Sequence, residues 1–405
     1  MKKSLLLSIA ASAVVFAGGD IAPVEPVQPT AAPAACDFWG SIGFRYDAVD
    51  EDGGLGFDDA ENNRFTGTIV LGVEKELGYG FGFGAEVAGS FYTDGEFNKI
   101  SDDREDVEIS QLYLTYKVGN TAIKAGRQAL PKAVSPWAWS DRTVGRIDNA
   151  FDGIVVVNTD IQDTTLVGAW IRDIVKGTDD IKLGDNGVFM LGAINKSIAN
   201  TTLSFAAYYV PDYATDIDVT SVWAAAETKV NNVDLGLQLA YADVDVAGLD
   251  STFAAAAYVG TTYDAFDAKL TVAYINDGDA PLNAGGTSGF WGSVGYAAAS
   301  FDANILGNSS FGGDVDANGG KQTIVKLDAG YKLPDGYGKV YAGVAYDKFS
   351  DSTKYDTAVA ARVGYSFNVK GVNAKVEYRY TKIDGLDSAD DVKNQKIRLE
   401  GIYKF

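Results

Sequence analysis

The chain has 405 residues, a formal net charge of −21, 46 glycines, one cysteine and no histidine. Without histidine it can form no Ser-His-Asp triad, no Cys-His pair and no His-ligated zinc site. A single cysteine excludes an internal disulfide and a CxxC metal site. We therefore expect that the protein is not an enzyme.

The first residues have the pattern of a secretory signal peptide. Lys2 and Lys3 precede an apolar run that ends in Val15, Phe16 and Ala17, so that small residues occupy the third and the last position before a cut after Ala17. This pattern predicts a signal peptide over residues 1–17, and its apolar run is too short to span a bilayer as a helix. Residues 18–36 are rich in proline and alanine and predict an extended, polyproline-like leader. We interpret Cys36, its last residue, as an unpaired thiol.

From residue 37 to residue 405, apolar and polar residues alternate in segments of roughly ten residues, a pattern typical of strands that face two environments. One side of the clearest segments carries Phe65, Gly67, Ile69, Leu71 and Val73; Val233, Leu235, Leu237, Leu239 and Tyr241; and Val372, Ala374, Val376, Tyr378 and Tyr380. The alternation continues to the last residue, Phe405.

The connections between these segments fall into two kinds. Short turns are predicted at 119–120, 231–232, 334–336 and 370–371, and long acidic loops at 50–63, 94–106, 176–187, 277–289 and 384–395. Short turns of this composition suit tight hairpins. The regular exchange of short and long connections predicts an antiparallel up-and-down sheet with two different ends.

A soluble β-sandwich would also show alternation, but two features favour a transmembrane barrel. Aromatic residues such as Tyr378 and Phe405 lie at strand ends on the apolar side, and the polar sides carry long charged residues. An open sheet would leave unpaired backbone groups in hydrocarbon, so the sheet must close. Our hairpin count is about 20 strands, or 18 or 16 if weak segments such as 297–310 are not strands, and closure favours an even number.

Two sequence features narrow the comparison further. The chain ends in "YKF", and residues 123–156 read "IKAGRQALPKAVSPWAWSDRTVGRIDNAFDGIVV". With the signal peptide and the alternation, they resemble the major outer-membrane porins of the epsilonproteobacteria and the related substrate-specific porin family. The resemblance implies an all-β barrel of about 18 strands, an infolded constriction loop, a homotrimer, and a terminal aromatic residue that serves barrel assembly.

The segment 129–150 is the candidate constriction loop. It is long and partly apolar, and Trp137, Trp139 and two prolines could anchor it inside a barrel. Its charged residues would then lie at the narrowest part of the pore: Lys132, Asp141, Arg142, Arg146 and Asp148. An extracellular lid is the alternative for this segment.

Strand alternation also predicts which charged residues face the pore. The basic candidates are Arg45, Arg64, Lys124, Arg172, Lys326, Arg362, Lys375, Arg379 and Arg398, and the acidic candidates are Glu74, Glu86, Asp234, Asp328, Glu377 and Glu400. Rings of charge select ions by sign. The wall leans basic and the loops are acidic, so the selectivity stays open, with a slight preference for cations from the negative net charge.

Two further patterns, a partial calcium-binding motif and a set of small outward residues, each allow a functional and a purely structural interpretation. Asp314, Asp316 and Asn318 alternate as in the start of a calcium loop, but Val325 stands where the bidentate glutamate is expected. We expect no cofactor, with weakly bound calcium as the alternative to a solvated turn. The small residues Ala125, Ala255 and Ala257 on outward faces fit either subunit contacts or a thin lipid-facing wall.

The sequence thus predicts an outer-membrane porin that allows passive diffusion of ions and small hydrophilic solutes. Two alternatives remain: a substrate-specific channel for small carboxylates, and a non-conducting surface adhesin or structural barrel. The expected partners are outer-membrane lipid, the solutes and other copies of the chain, and not nucleic acid.

Overall fold

The structure is a computed structural model of the chain. It describes residues 36–51, 63–94, 100–137, 139–140, 149–176, 179–182, 186–214, 217–280, 291, 321–350, 352, 355–387 and 391–405. The predicted signal peptide and the leader up to residue 35 lie outside the described residues.

Within these residues the chain forms nineteen strands and one 3₁₀ turn at Pro334–Gly336. The strands are β1 (Asp37–Glu51), β2 (Asn63–Gly78), β3 (Phe81–Asp94), β4 (Ile100–Val118), β5 (Thr121–Gln128), β6 (Ala150–Asn158), β7 (Thr164–Lys176), β8 (Asp179–Lys182), β9 (Val188–Asn195), β10 (Thr201–Ala214), β11 (Ile217–Val230), β12 (Val233–Val244), β13 (Thr252–Tyr263), β14 (Phe266–Ile275), β15 (Lys321–Lys332), β16 (Lys339–Ser350), β17 (Tyr355–Val369), β18 (Val372–Gly385) and β19 (Val392–Lys404). No helix in the described part of the chain is long and apolar enough to cross a bilayer.

The strands form one closed antiparallel sheet in which neighbours in sequence are paired. One end of β7 pairs with β8 and the rest pairs with β9, so β8 and β9 share a single position in the barrel. β1 pairs with β19 over Ser41–Glu51, which closes the sheet. The result is an 18-strand barrel, and the predicted up-and-down architecture is confirmed.

The four predicted short turns lie at one end of the barrel, because alternate connections of an up-and-down sheet return to the same end. Their residues adopt the backbone that tight hairpins require. Asn231 and Lys370 have φ of 54° and 50°, and Gly371 follows with φ 91°. Positive φ at the central positions matches the twist of the flanking strands. The four predicted turns connect consecutive strands, but two predicted loops are partly strand. In the loop 94–106, β4 begins at Ile100 and pairs there with β3, and the loop 176–187 contains β8, which pairs with β7.

The two faces of the wall differ as the alternation predicts. On β12, Leu235, Leu237 and Leu239 are exposed on the outer face, whereas Gln238 and Ala240 between them are buried inside. Large exposed aliphatic and aromatic side chains recur on the outer face around the barrel. Such a band suits hydrocarbon, where every strand edge must also be paired.

The inner face departs from the expected uniformly polar wall. On β12 to β17 it carries a cluster of buried small residues: Ala240, Ala242, Ala254, Ala256, Ala273, Ala345, Ala358 and Ala360. Ile324, Phe349 and Ile383 pack in the same cluster. The interior of this sector therefore combines apolar contacts with charged residues, since Asp328 on β15 and Arg362 on β17 form an ion pair on the same face.

Candidate pore and its constriction

The segment after β5 folds into the barrel. Trp137 is 1% exposed, and its ring stacks on Tyr208 with centroids 6.0 Å apart and planes at 12°. Tyr208 lies on the inner face of β10, because its neighbours Phe205 and Tyr209 alternate to the exposed outer face. The predicted infolding is therefore seen in residues 129–137 and 139–140, the part of the loop that the structure describes.

Hydrogen bonds hold this segment against the wall and close its neck. The Tyr208 hydroxyl lies 3.1 Å from the Ser135 hydroxyl and accepts the Trp137 backbone N–H at 3.4 Å. At the neck, the Ser140 backbone N–H donates to the Leu130 carbonyl at 2.8 Å. Backbone groups that are buried where the loop packs against the wall need such partners, because that contact excludes water.

Glu86 positions the start of the infolded segment. It faces inward from β3, is 2% exposed, and accepts hydrogen bonds from Ser110 at 2.6 Å and Gln111 at 2.9 Å. The Gln111 side-chain oxygen in turn accepts the Ala129 backbone N–H at 3.1 Å. Sequence alternation placed Glu86 on the pore wall, and its contacts there are those of a supporting residue.

Within the described part of the infolded segment, Lys132 is the one charged residue. Its ammonium lies 4.6 Å from the ring centre of Trp139, a cation–π contact that leaves the charge in place. It is close enough to Lys269 on β14 and Lys326 on β15 to interact with both electrostatically. The infolded segment thus brings a third cation to two wall lysines, and we call these three residues the lysine group.

An aromatic residue from the connection between β14 and β15 reaches the same place. The Trp291 backbone N–H donates to the Gln238 side chain at 2.8 Å, and its carbonyl accepts Lys326 Nζ at 2.9 Å. The Trp291 ring meets Tyr258 edge-on at 4.8 Å, and Lys269 Nζ lies 3.6 Å above the Tyr258 ring. The lysine group is therefore bordered by aromatic surface.

A row of ion pairs follows the inner wall from β15 to β1. The pairs are Arg362–Asp328 at 2.9 Å, Arg379–Glu377 at 2.6 Å, Lys375–Glu400 at 3.2 Å, Arg398–Asp47 at 2.6 Å and Arg45–Asp47 at 3.0 Å. Asp47 is shared by two arginines, and Lys396 adds a further cation beside them. Alternating charge of this kind can pass an ion from site to site along one wall.

Most described wall candidates lie where alternation predicts. Arg45, Arg64, Glu86, Lys124 and Arg379 stand on the inner face, and Lys124 lies 3.6 Å above the inward Tyr113 ring. They do not form one ring, since Lys124 on β5 is separate from the Arg45 and Arg379 row. Asp141, Arg142, Arg146 and Asp148, and the calcium candidates Asp314, Asp316 and Asn318, lie outside the described residues.

The prediction that Arg172 faces the pore is wrong. It lies in a β-bulge of β7, where Asp152 pairs with Asp173 and Gly153 pairs with Ile171. A bulge sets two residues opposite one and interrupts alternation. Arg172 and Asp173 consequently share the outer face with Trp170, and the Arg172 side chain is 70% exposed.

Sequence reasoning did not single out several residues that build the constriction. Lys269 could have been found, since it alternates with the outward Leu270 and Val272 on a clear strand. Tyr208 and Trp291 carry no such signal, because their role depends on which loop meets which wall. The described residues contain no cluster of three acidic or cysteine side chains suited to a metal ion.

No protein-family model and no curated protein matches this sequence. Solved structures do match it in fold. OccK3 (OpdO) of Pseudomonas aeruginosa shares 16% identity at a TM-score of 0.65, over 91% of this chain and 96% of that one. OccK2 (OpdF) of the same organism, in complex with glucuronate, shares 13% identity at 0.65 over 91% and 98%. OpdK of the same organism, with vanillate, shares 12% identity at 0.66 over 91% and 99%.

These neighbours are outer-membrane porins, and at such low identity the likeness shows a common barrel fold. The resemblance to epsilonproteobacterial porins in particular stays a prediction.

Proposed function

We propose that this protein is a passive outer-membrane channel for ions and small hydrophilic solutes. The observation that carries the proposal is the closed barrel with an apolar outer band, a charged inner wall and an infolded segment pinned by Trp137 and Tyr208. Solutes would pass the charged side of the lumen, and size and fixed charge would select among them. No covalent step and no energy source is required.

Planar-bilayer recording on the refolded full chain tests this proposal. We expect discrete, long-lived conductance steps in potassium chloride, with a size reduced by the infolded segment. A folded barrel that inserts but never conducts would contradict the proposal and favour a plugged adhesin or structural barrel.

A second candidate, a channel that prefers small carboxylates, is favoured by the lysine group. Lys132, Lys269 and Lys326 place three cations around one part of the lumen, next to the aromatic surface of Tyr258 and Trp291. Lysine binds an anion as a point charge, and an aromatic wall adds apolar contact. Two structural neighbours were solved with glucuronate and vanillate, and both molecules are carboxylates.

Current block by glucuronate separates the two candidates. A specific channel is interrupted while the ligand is bound, whereas the conductance of a general pore simply follows the conductivity of the bathing solution. Lys269→Gln should weaken the block by about tenfold, or ~1.4 kcal/mol. Lys370→Gln removes the same charge from a short turn and is the matched control. Equal block in both variants would exclude the lysine group as the binding site.

We propose further that the chain is exported through cleavage of residues 1–17 and assembles as a homotrimer. The basic, apolar and small-residue pattern of the first residues supports export. The trimer is supported by the family resemblance and by the low-bulk outward residues Ala125, Ala255 and Ala257. Mass spectrometry of the mature N-terminus tests the first point, and light scattering in detergent tests the second.

A further inference from the structure

One arrangement of side chains recurs on the inner wall of the barrel. A glutamate, a glycine and a tyrosine stand directly opposite one another on three neighbouring strands, and the tyrosine lies across the glycine so that its hydroxyl reaches the glutamate. Three such sets occur among the described residues: Glu227, Gly236 and Tyr258; Glu74, Gly84 and Tyr113; and Glu377, Gly364 and Tyr341. A basic residue accompanies each ring, with Lys269 and Lys124 at 3.6 Å and Arg362 at 5.3 Å from the ring centre.

The set that contains Tyr258 borders the lysine group. A Cβ on Gly236 would lie 2.2 Å from the Tyr258 ring, so the glycine is what lets the ring lie against the wall. The Tyr258 hydroxyl donates to Glu227 at 2.7 Å, and Lys269 Nζ lies 3.6 Å from the ring centre. One side chain thus contacts both a wall carboxylate and a wall ammonium group.

Lys269 forms no ion pair with any described residue, although three carboxylates lie close enough to attract it: Glu227, Asp234 and Asp328. Two of these carboxylates bind other cations. Asp328 stands directly opposite Lys269 on β15 and pairs with Arg362 at 2.9 Å. Asp234 pairs with Lys229 at 3.0 Å.

Glu227 is the third of these carboxylates, and its partner is the neutral hydroxyl of Tyr258. A neutral donor orients the carboxylate without bringing a cation to it. The aromatic ring in turn attracts the Lys269 ammonium through its quadrupole and leaves the positive charge in place. Tyr258 therefore holds the acid and the base apart, where a direct ion pair would cancel both charges.

We propose, on the basis of the carboxylate preference argued above, that Tyr258 is a positioning residue that keeps Lys269 available to a solute carboxylate. A wall carboxylate and a solute carboxylate compete for the same ammonium group, so an acid that is already engaged favours the solute. The ring also fixes the ammonium close to Lys132 and Lys326, the other two members of the lysine group.

The variant Tyr258→Phe separates the hydroxyl from the ring. The ring would still cover Gly236 and contact Lys269, but Glu227 would lose its donor and turn to Lys269. We expect glucuronate to block the current about threefold less tightly, which is the scale of one exposed ion pair. Tyr263→Phe removes the same oxygen from an exposed position at the end of β13 and should be blocked like wild type.

A Glu227→Gln background distinguishes positioning from direct contact with the solute. Without a charged carboxylate there is no competitor to release, so Tyr258→Phe should have no further effect on block in this background. Equal weakening in both backgrounds would overturn the proposal, because Tyr258 would then act through contact or through the shape of the wall. Unchanged block in Tyr258→Phe alone would overturn it as well.

Amine labelling of the refolded barrel in detergent tests the same arrangement without conduction. Trinitrobenzenesulfonate reacts with the unprotonated amine, and a lysine in an ion pair loses its proton less readily. We expect mass spectrometry to show Lys269 labelled in wild type and about threefold more slowly in Tyr258→Phe, on the scale of one ion pair. Lys370, in a short turn, should be labelled equally in both and is the internal control.

The two measurements separate the positioning role from the channel function. If Lys269 is unlabelled in wild type, or is labelled at equal rates in both proteins, the proposal is wrong, and a conducting barrel would leave the channel function standing. If the expected labelling rates appear in a barrel that never conducts, the channel function is contradicted and the role of Tyr258 is supported.

Discussion

Trp137 shows how one side chain can set the width of a pore. It is nearly fully buried on the inner wall, and its backbone and ring are both held by Tyr208. Its indole N–H is buried and has no hydrogen-bond partner among the residues that the structure describes. The contacts seen for this side chain are apolar packing and stacking on Tyr208.

Replacement of Trp137 separates these contributions. Trp137→Ala should lower the free energy of unfolding by about 3–5 kcal/mol and release the segment, so conductance should rise and become noisier. Trp137→Phe keeps a ring on Tyr208 and loses only an N–H that has no partner in the described part of the chain, so it should stay near wild type. Urea unfolding in micelles and single-channel recording provide the two measurements. Unchanged conductance in Trp137→Ala would show that the segment does not limit the pore.

Glu377 is a buried anion of the charged wall. It is buried, pairs with Arg379 at 2.6 Å and accepts the Tyr341 hydroxyl at 2.9 Å. Glu377→Gln removes its charge but retains a hydrogen-bonding side chain, so the adjacent arginines lose their counter-charge. The reversal potential in a salt gradient should shift toward anion selectivity.

A control for Glu377→Gln must remove one carboxylate outside the lumen. Asp335→Asn does so in the short turn Pro334–Gly336, at a φ of 55° that asparagine tolerates well. Its reversal potential should match that of wild type. If both variants shift alike, net charge and not the wall governs selectivity.

The residues of the site were predictable only as far as their strands were regular. Arg45, Lys124 and Arg379 lie on clean alternating segments, so a two-residue period was enough to assign their face. The predicted face of Arg172 was wrong because a bulge adds one residue to β7. Nothing in the sequence around Arg172 indicates that bulge. The roles of Tyr208 and Trp291 could not be predicted for a different reason. They depend on which loop packs against which distant strand, and local sequence does not show this.

At the level of elements, β5 is short because the chain must leave the wall and enter the lumen. It has 8 residues, whereas β4 beside it has 19. Gly126 near its end has φ 124°, and a Cβ there would lie 2.4 Å from the Leu112 carbonyl oxygen. The glycine thus allows the close approach of β4 and β5 just before the turn inward.

Gly126→Ala tests this account of β5. The added methyl group meets backbone atoms that cannot move aside, and alanine disfavours this φ, so we expect a loss of about 1–3 kcal/mol in unfolding free energy. Gly168→Ala on β7 has open space and an ordinary backbone, and it should be nearly neutral. The comparison uses urea unfolding in micelles, and equal stability of both variants would refute the steric argument.

The number of elements was harder to obtain than their type. Alternation identified most strands, but our hairpin count of about 20 exceeded the true number of barrel positions. The weak segment 297–310, which that count includes, lies outside the described residues, and β14 pairs directly with β15. The residues of β8 lie in the predicted loop 176–187, but β8 and β9 both pair with β7 and share one position. Pairing across the sheet, which the sequence does not display, decides such cases.

For the whole molecule, stability depends on one seam between the ends of the chain. β1 and β19 pair over the full height of the wall, and Phe405 and Gly40 exchange two backbone hydrogen bonds at 2.8 and 3.0 Å. The Phe405 ring covers Gly40, where an added Cβ would lie 2.7 Å from the ring and equally close to the Val70 carbonyl. The amphipathic carboxy terminus is thus part of the closure.

Gly40→Ala should therefore impair closure of the whole barrel. The methyl group would push against the Val70 backbone and displace the Phe405 ring, so the last strand would pair less well with the first. Gly401→Ala, on the partner strand, has only an ordinary contact with Val372 at 3.6 Å and serves as the control. We expect a several-fold lower yield of the compact, heat-modifiable form for Gly40→Ala and an unchanged yield for Gly401→Ala. Equal yields would mean that closure tolerates the added methyl group, and the close contact between the Phe405 ring and Gly40 would then not be required for closure.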